Sequence, residues 1–276
     1  MSGEAAEMTL RERALAGLPL EGGLVVDAHG HLGRYGVFDI TASTAAEAVA
    51  VMDRVGVDVL CVSHVLSLVG DWARGNDLVA QAMQEFPGRL VGYAVVNPNH
   101  PGTIRAELDR CVEQLGMKGI KVHAGLHEYP VDGPAMIAVY EYAAEKGGLP
   151  VLGHGFNDAR AMEKLSALFP TVPFIVAHSG GGYRGRPEAI IDLVAERDNL
   201  YTDVCSSLVP YGGIEALVER VGAGKVLFGS DFTWQHLTHQ IGRVLLADLT
   251  EQDKWAIIGG NAARLFGLSA RGGGHE

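Results

Sequence analysis

From residue 24 onward, short runs of apolar and β-branched residues alternate with longer stretches whose apolar positions recur every three to four residues. That alternation predicts repeated strand–helix units around a parallel sheet. Eight strands can be read: LVVDAH (24–29), VDVLCVSH (57–64), RLVGYAVV (89–96), MKGIKVH (117–123), LPVLGH (149–154), VPFIVAH (172–178), LYTDVC (200–205) and KVLFGSD (225–231). Most are nearly continuous apolar runs, the pattern of strands whose outer face is covered by helices. Between them lie amphipathic segments such as TAAEAVAVMDRVG, PGTIRAELDRCVEQLG, PAMIAVYEYAAEKGG and PEAIIDLVAERDN, several closing on a glycine, with Pro101, Pro134 and Pro187 placed where a first helical turn tolerates them. Two more helices are predicted after the eighth strand, near 237–249 and 251–266. Eight units without a linker predict an α/β protein closed into a (β/α)8 TIM barrel over residues 24–268. Residues 1–23 read as an N-terminal arm, and 269–276 as a flexible C-terminal tail.

Composition narrows the function classes. The 276 residues are 47% hydrophobic and 20% charged, ordinary for a globular chain with a sizeable core. Twenty-two basic against 33 acidic residues leave a net charge of −11, which argues against nucleic acid and anionic membrane as partners and for a small-molecule substrate. A homodimer is compatible with this composition. No apolar run approaches the roughly 18 to 20 residues of a membrane span, and the first residues lack a basic-then-apolar signal pattern, so the expected location is cytoplasmic. Cys61, Cys111 and Cys205 are few, scattered and set among apolar neighbours, which suits reduced packing residues; Cys205 falls near a strand end, where barrels gather their chemistry.

The pattern that changes the picture is polar. Nearly every predicted strand ends in a residue able to bind metal or move protons: Asp27, His29 and His31 at the first, His64 at the second, Lys121 and His123 at the fourth, His154 at the fifth, His178 at the sixth and Asp231 at the eighth. In a barrel those ends converge on one mouth. His29 and His31 form an H-x-H pair, and residues two apart on a strand share a face, so two imidazoles can point at the axis together. His154 and Asp231 would complete a four-ligand divalent metal site with a position left for water, the signature of catalytic rather than structural zinc. Each residue alone has a plainer reading as packing or loop anchoring, but buried ionisable groups need partners, and the set as a whole calls for one. His64 and His123 are expected as supporting hydrogen-bonding groups or substrate contacts. Arg34, Arg184 and Arg186 are loop arginines that could clamp a substrate carboxylate or simply be solvated. His100, His127, His236, His239 and His275 read as surface groups.

The ordered motifs DAHGH, GIKVH, VLGH, FIVAHSGG, LFGSD and GGNAARLFGL resemble the amidohydrolase superfamily. Within it they are similar to the amidohydrolase-related branch of aminocarboxymuconate semialdehyde decarboxylase-like metal-dependent hydrolases, over about residues 24–268. The resemblance implies that His29, His31, His154 and Asp231 bind one divalent ion, zinc, with His178 and Asp231 as catalytic groups. In two-metal relatives of the wider superfamily, a carboxylated lysine bridges the ions; Lys121 and His178 would then be additional ligands. One metal with Lys121 free is expected. The expected activity is hydrolysis of a small carboxylated or cyclic compound by metal-activated water; the alternative is zinc-dependent nonoxidative decarboxylation on the same site. A nuclease is disfavoured by Lys121 and the net charge, and a non-catalytic scaffold by the open metal position.

Overall fold

The computed structural model describes residues 8–181, 188–205 and 209–269. Its strands are β1 (Val26–Leu32), β2 (Val59–His64), β3 (Leu90–Ala94), β4 (Gly119–His123), β5 (Val151–His154), β6 (Phe174–Val176), β7 (Leu200–Asp203) and β8 (Val226–Leu227). They pair in parallel in sequence order, β1 to β8. Closure comes from the segment after β8, which turns back onto β1: Ala28 donates to the carbonyl of Phe228, and Asp231 to that of His29, each at 2.8 Å. The result is the (β/α)8 TIM barrel that the alternating pattern predicts.

Local chemistry explains the helices. The helix Ala45–Val55 opens on Thr44, whose side chain and that of Glu47 satisfy each other's backbone N–H groups, the reciprocal capping box. The same device starts Leu10–Ala16, with Thr9 and Glu12. Leu10 is buried and its N–H donates to Glu251 at 2.7 Å, so this part of the arm is tied to the C-terminal helices. The helix predicted near 251–266 is interrupted by a π-helical stretch, Ala256–Gly260, between Glu251–Trp255 and Asn261–Phe266. No helix among the described residues is long and apolar enough to cross a membrane.

The core has two layers. A large cluster, including Leu60, Val62, Ile120, Val122, Val151 and Phe174, lies between the sheet and the surrounding helices. A smaller one fills the barrel from Val26, Val59, Cys61, Tyr93, Leu152, Ile175 and Leu227, and is closed at one end by Ala262 and Phe266. Between the helix Trp72–Glu85 and the helix Ile104–Asp109, Asn76 donates to Glu107 at 2.7 Å and to the carbonyl of Val95 at 2.8 Å, while Arg110 grips Glu107. This buried polar bridge secures the segment that follows β3.

One irregularity in β1 decides what the barrel presents at its mouth. Val26 and Asp27 pair with Val59 and Leu60, but Gly30 and His31 pair with Val62 and Ser63, so β1 carries one extra residue between Asp27 and Gly30. Such a bulge re-aims side chains and breaks simple alternation. Val26 faces inward, and beyond the bulge His29 and His31 face inward too. Gly30 is left on the crowded outer face, where a Cβ would stand 2.6 Å from the Leu60 side chain and 3.0 Å from the Phe232 carbonyl oxygen.

Candidate metal centre and active site

His29 and His31 both lie within β1, and both are buried. Asp231 sits four residues beyond β8 in the left-handed backbone region, at φ 61°, held by its N–H bond to the His29 carbonyl. That conformation is uncommon without glycine, and it swings the carboxylate across the barrel end. Asp231 Oδ1 ends 3.1 Å from His31 Nε2 and 3.6 Å from His29 Nε2. Neither contact is aligned as a hydrogen bond, and this oxygen is buried without any hydrogen-bond partner. A buried carboxylate oxygen is rarely left so. The three donor atoms fall within 4.8 Å of one another, a spacing able to hold one ion. The orphaned oxygen and the imidazole–carboxylate donor set therefore fit a divalent metal.

The electrostatics agree with this arrangement. Burial foremost, then neighbouring Lys121, holds His29 well below the ordinary imidazole value. Burial takes His31 down to about 4 against the pull of Asp231. Burial pushes Asp231 upward, but contact with His31 and the fields of His178 and His29 outweigh it and keep the carboxyl well below the usual range. Neutral imidazoles and an ionised carboxylate are the forms that ligate metal.

Around this trio runs a second set of polar contacts. His29 Nδ1 lies 2.8 Å from Asp203 Oδ2, and His29 Nε2 lies 2.7 Å from Lys121 Nζ. Burial lowers Lys121 to about 8, opposed by Asp231 and Asp203. His178 is held just after β6 at φ 60° and ψ 35°, its N–H donating to Asp203 Oδ1 at 2.7 Å. Its Nδ1 lies 2.7 Å from the Cys205 carbonyl oxygen, and its Nε2 lies 3.0 Å from His154 Nδ1. His154 in turn stacks on His123, with ring centroids 4.1 Å apart. Burial, then His178, brings His154 down to about 3. His154 thus stands one hydrogen bond away, through His178, from the cluster of His29, His31 and Asp231; the four expected ligands are neighbours, but only three of them share one point.

The remaining sequence expectations are placed as follows. His64 Nδ1 accepts the N–H of Leu66 at 3.0 Å and caps the short helix Val65–Val69. His123 Nδ1 accepts the N–H of Leu126 in the same manner at 3.1 Å. Arg34 is exposed. Arg184 and Arg186 lie outside the described residues. The three cysteines are free and buried. His127, read as a surface group from its polar neighbourhood, is instead buried, because its short helix Ala124–His127 packs against the helix Val65–Val69 and against β5.

Two residues escaped the sequence reading. Asp203 ends β7 in the register that supplies polar groups in the other strands, and that position is the signal the sequence offers for it. Trp234 lies flat on His31, with centroids 3.9 Å apart and planes 7° from parallel, and leads outward to Tyr35 and Phe38. Nothing in the spacing of SDFTW announces that stack.

Comparison with known proteins follows the same lines. A sequence model of the family described as Amidohydrolase matches residues 26–268. The chain is 24% identical to 2-amino-3-carboxymuconate-6-semialdehyde decarboxylase of Dictyostelium discoideum over 269 residues, covering 79% of this chain and 75% of that protein. It is 26% identical to 2-keto-4-carboxy-3-hexenedioate hydratase of a Sphingobium species, covering 72% of each. Among solved structures it superposes on 5-carboxyvanillate decarboxylase of Novosphingobium aromaticivorans, complexed with manganese and a nitrobenzoic acid, with TM-score 0.71 and 16% identity over 90% of this chain and 97% of that one.

Proposed function

Because the chain belongs to the amidohydrolase family of enzymes, we propose that it is a divalent-metal-dependent lyase that removes carbon dioxide, without an oxidant, from a small carboxylated compound. The observation that carries the metal is the buried, unpartnered Asp231 Oδ1 facing the imidazole nitrogens of His29 and His31. Decarboxylation is favoured over the hydrolysis that the sequence put first because decarboxylases stand among both the sequence relatives and the similar structures. His29, His31 and Asp231 would hold the ion, with His154 as the fourth ligand. Once bound, such an ion orients the substrate and stabilises negative charge that develops on it.

The protein's own groups do the rest. Loss of carbon dioxide leaves an electron pair on carbon, and a proton must arrive there. Asp231 and His178 are the groups assigned to bring it: Asp231, ionised at rest, would take a proton from solvent and pass it to that carbon, with His178 as its electrostatic partner. Asp203 and the Cys205 carbonyl fix His178 from behind. Trp234, Tyr35 and Phe38 give the mouth an aromatic wall that suits a planar, conjugated acid. One ion, with Lys121 uncarboxylated and close to His29, is the arrangement we favour. Zinc suits the imidazole and carboxylate donors, while the carboxyvanillate decarboxylase carries manganese, so both forms belong in the assay. A small-molecule substrate, no nucleic-acid or membrane partner, a cytoplasmic site of action and a homodimer complete the proposal.

The test is a panel of aromatic and muconate-type carboxylic acids, lactones and esters, offered to the zinc- and manganese-loaded protein with carbon dioxide release and product mass both read. Carbon dioxide from an acid, lost in the His29→Ala/His31→Ala protein, is expected. Cleavage of a lactone or ester without carbon dioxide would restore hydrolysis as the activity. The hydratase relative supports a second reading, addition of water to a conjugated acid, which would show as uptake of one water and no gas.

A further inference from the structure

We propose that Asp203 is the positioning residue that fixes the tautomer of His29, keeping its ring proton on Nδ1 so that Nε2 presents a lone pair to the metal centre. The inference rests on the metal reading above for its consequence, and on hydrogen-bond chemistry for its substance.

His29 is buried, and both of its ring nitrogens are engaged by protein. On one side Asp203 Oδ2 stands 2.8 Å from Nδ1. A carboxylate only accepts, so that nitrogen must carry the proton. On the other side Lys121 Nζ stands 2.7 Å from Nε2. An ammonium only donates, so that nitrogen must bear the lone pair. Two independent neighbours demand the same tautomer. An orienting carboxylate behind a ligating histidine also raises the basicity of the ligand.

Asp203 can do this because its other oxygen is already committed. Oδ1 accepts the N–H of His178 at 2.7 Å and the N–H of Cys205 at 3.2 Å, and the Asp203 carbonyl accepts the hydroxyl of Ser179 at 3.0 Å. The carboxylate is therefore clamped at the end of β7 between β1 and the segment after β6. It aims His29 and holds the peptide of His178 with the same two oxygens. It touches none of the three atoms that face the metal position.

Asp203→Asn exposes the role. If the amide oxygen keeps the two peptide N–H groups, its NH2 faces His29 Nδ1, which must then accept, and the ring proton moves to Nε2 where the lone pair is needed. The flipped amide would instead set NH2 against two buried N–H donors. The first arrangement satisfies the new amide and both peptide N–H groups, leaving only the Lys121 amine to find another acceptor, and is the one expected. A comparable carboxylate-to-amide change beside a catalytic histidine traps the wrong tautomer with geometry intact.

The experiment uses full-length protein labelled with 15N in histidine, metal-free and then titrated with zinc and manganese. The ring-nitrogen shifts and N–H couplings of His29 are assigned by comparison with His29→Ala. Expected are an Nδ1–H tautomer in the parent, an Nε2–H tautomer in Asp203→Asn, unchanged far-ultraviolet circular dichroism, and a metal affinity about 10- to 100-fold lower. A purely structural role for Asp203 would lower thermal stability without moving the proton. A parent His29 protonated on Nε2, or an Asp203→Asn protein that binds metal as tightly as the parent, overturns the proposal. Should the variant fail to fold, the tautomer in the parent decides. A parent that carries the proton on Nδ1 yet takes up no metal defeats the metal reading and leaves the tautomer assignment standing.

Discussion

Removal and return of the metal is the perturbation with the clearest arithmetic. Without an ion, Asp231 Oδ1 is buried with no hydrogen-bond partner beside two neutral imidazoles. An unsatisfied buried acceptor costs about 1–3 kcal/mol, more when it is charged. An ion that binds only the folded chain stabilises it by about 2.7 kcal/mol at 100 times its dissociation constant. For a chain of this size, roughly 2–4 °C of melting temperature accompanies each kcal/mol, so the expected rise is roughly 5–10 °C. The assay is calorimetry on protein stripped with chelator, then refilled with zinc or manganese, with metal content measured by elemental analysis. His29→Ala/His31→Ala should bind no tight metal and show no such rise. If the double variant gains as much as the parent, or the parent gains nothing, the assignment of the ion to β1 and Asp231 is refuted.

Asp231→Asn should retain the fold while its turnover falls by about 10²-fold or more, since an amide cannot carry the proton; steady-state kinetics on the substrate found by the panel will show this. Gly229→Ala would bring a Cβ within 2.9 Å of the His29 Cβ and 3.1 Å of the Asp203 Cβ, so overpacking of about 1–3 kcal/mol should appear in denaturant titration, with weakened metal binding. Glu107→Gln should soften acid unfolding. Burial opposes ionisation of Glu107, but Arg110 and Asn76 win and hold its carboxyl below the ordinary 4.5. A depressed carboxylate stabilises the folded state above its unfolded pKa, and that contribution is lost as pH falls through the folded value. The pH dependence of the urea midpoint below about 4.5 should therefore be flatter in the variant.

The barrel was legible because its evidence repeats: each apolar run ends where a polar residue begins, and the Thr44–Glu47 and Thr9–Glu12 caps mark helix starts from local chemistry alone. The site was legible as a list of strand ends, less so as a geometry. Simple alternation gives His29 and His31 a common face, but it cannot reveal that a bulge after Asp27 chooses the inner one. Asp231 and His178 lie beyond their short strands in left-handed conformations, which aspartate and histidine adopt more readily than most residues but still too rarely to be read from sequence. Asp203 needed the knowledge that β7 ends beside β1 across the mouth, a contact between residues 174 positions apart. His127 was misplaced because polar sequence neighbours say little about tertiary cover.

The extra residue in β1 also sets how this chain can change over generations. Strand sequences ordinarily absorb substitutions, and loops absorb insertions and deletions. Here the bulge between Asp27 and Gly30 lets a strand one residue longer than its partner keep Val26 and the two imidazoles on the same inner face. Flattening the bulge at the same length would turn the H-x-H pair toward the helices, because a one-residue slip exchanges the faces of a strand. Deleting Ala28, by contrast, would remove the extra residue and leave Val26, His29 and His31 alternating inward against the same β2 partners. The first strand should therefore tolerate loss of Ala28 better than loss of Gly30, because the second deletion makes His29 and His31 adjacent and sends them to opposite faces of the sheet.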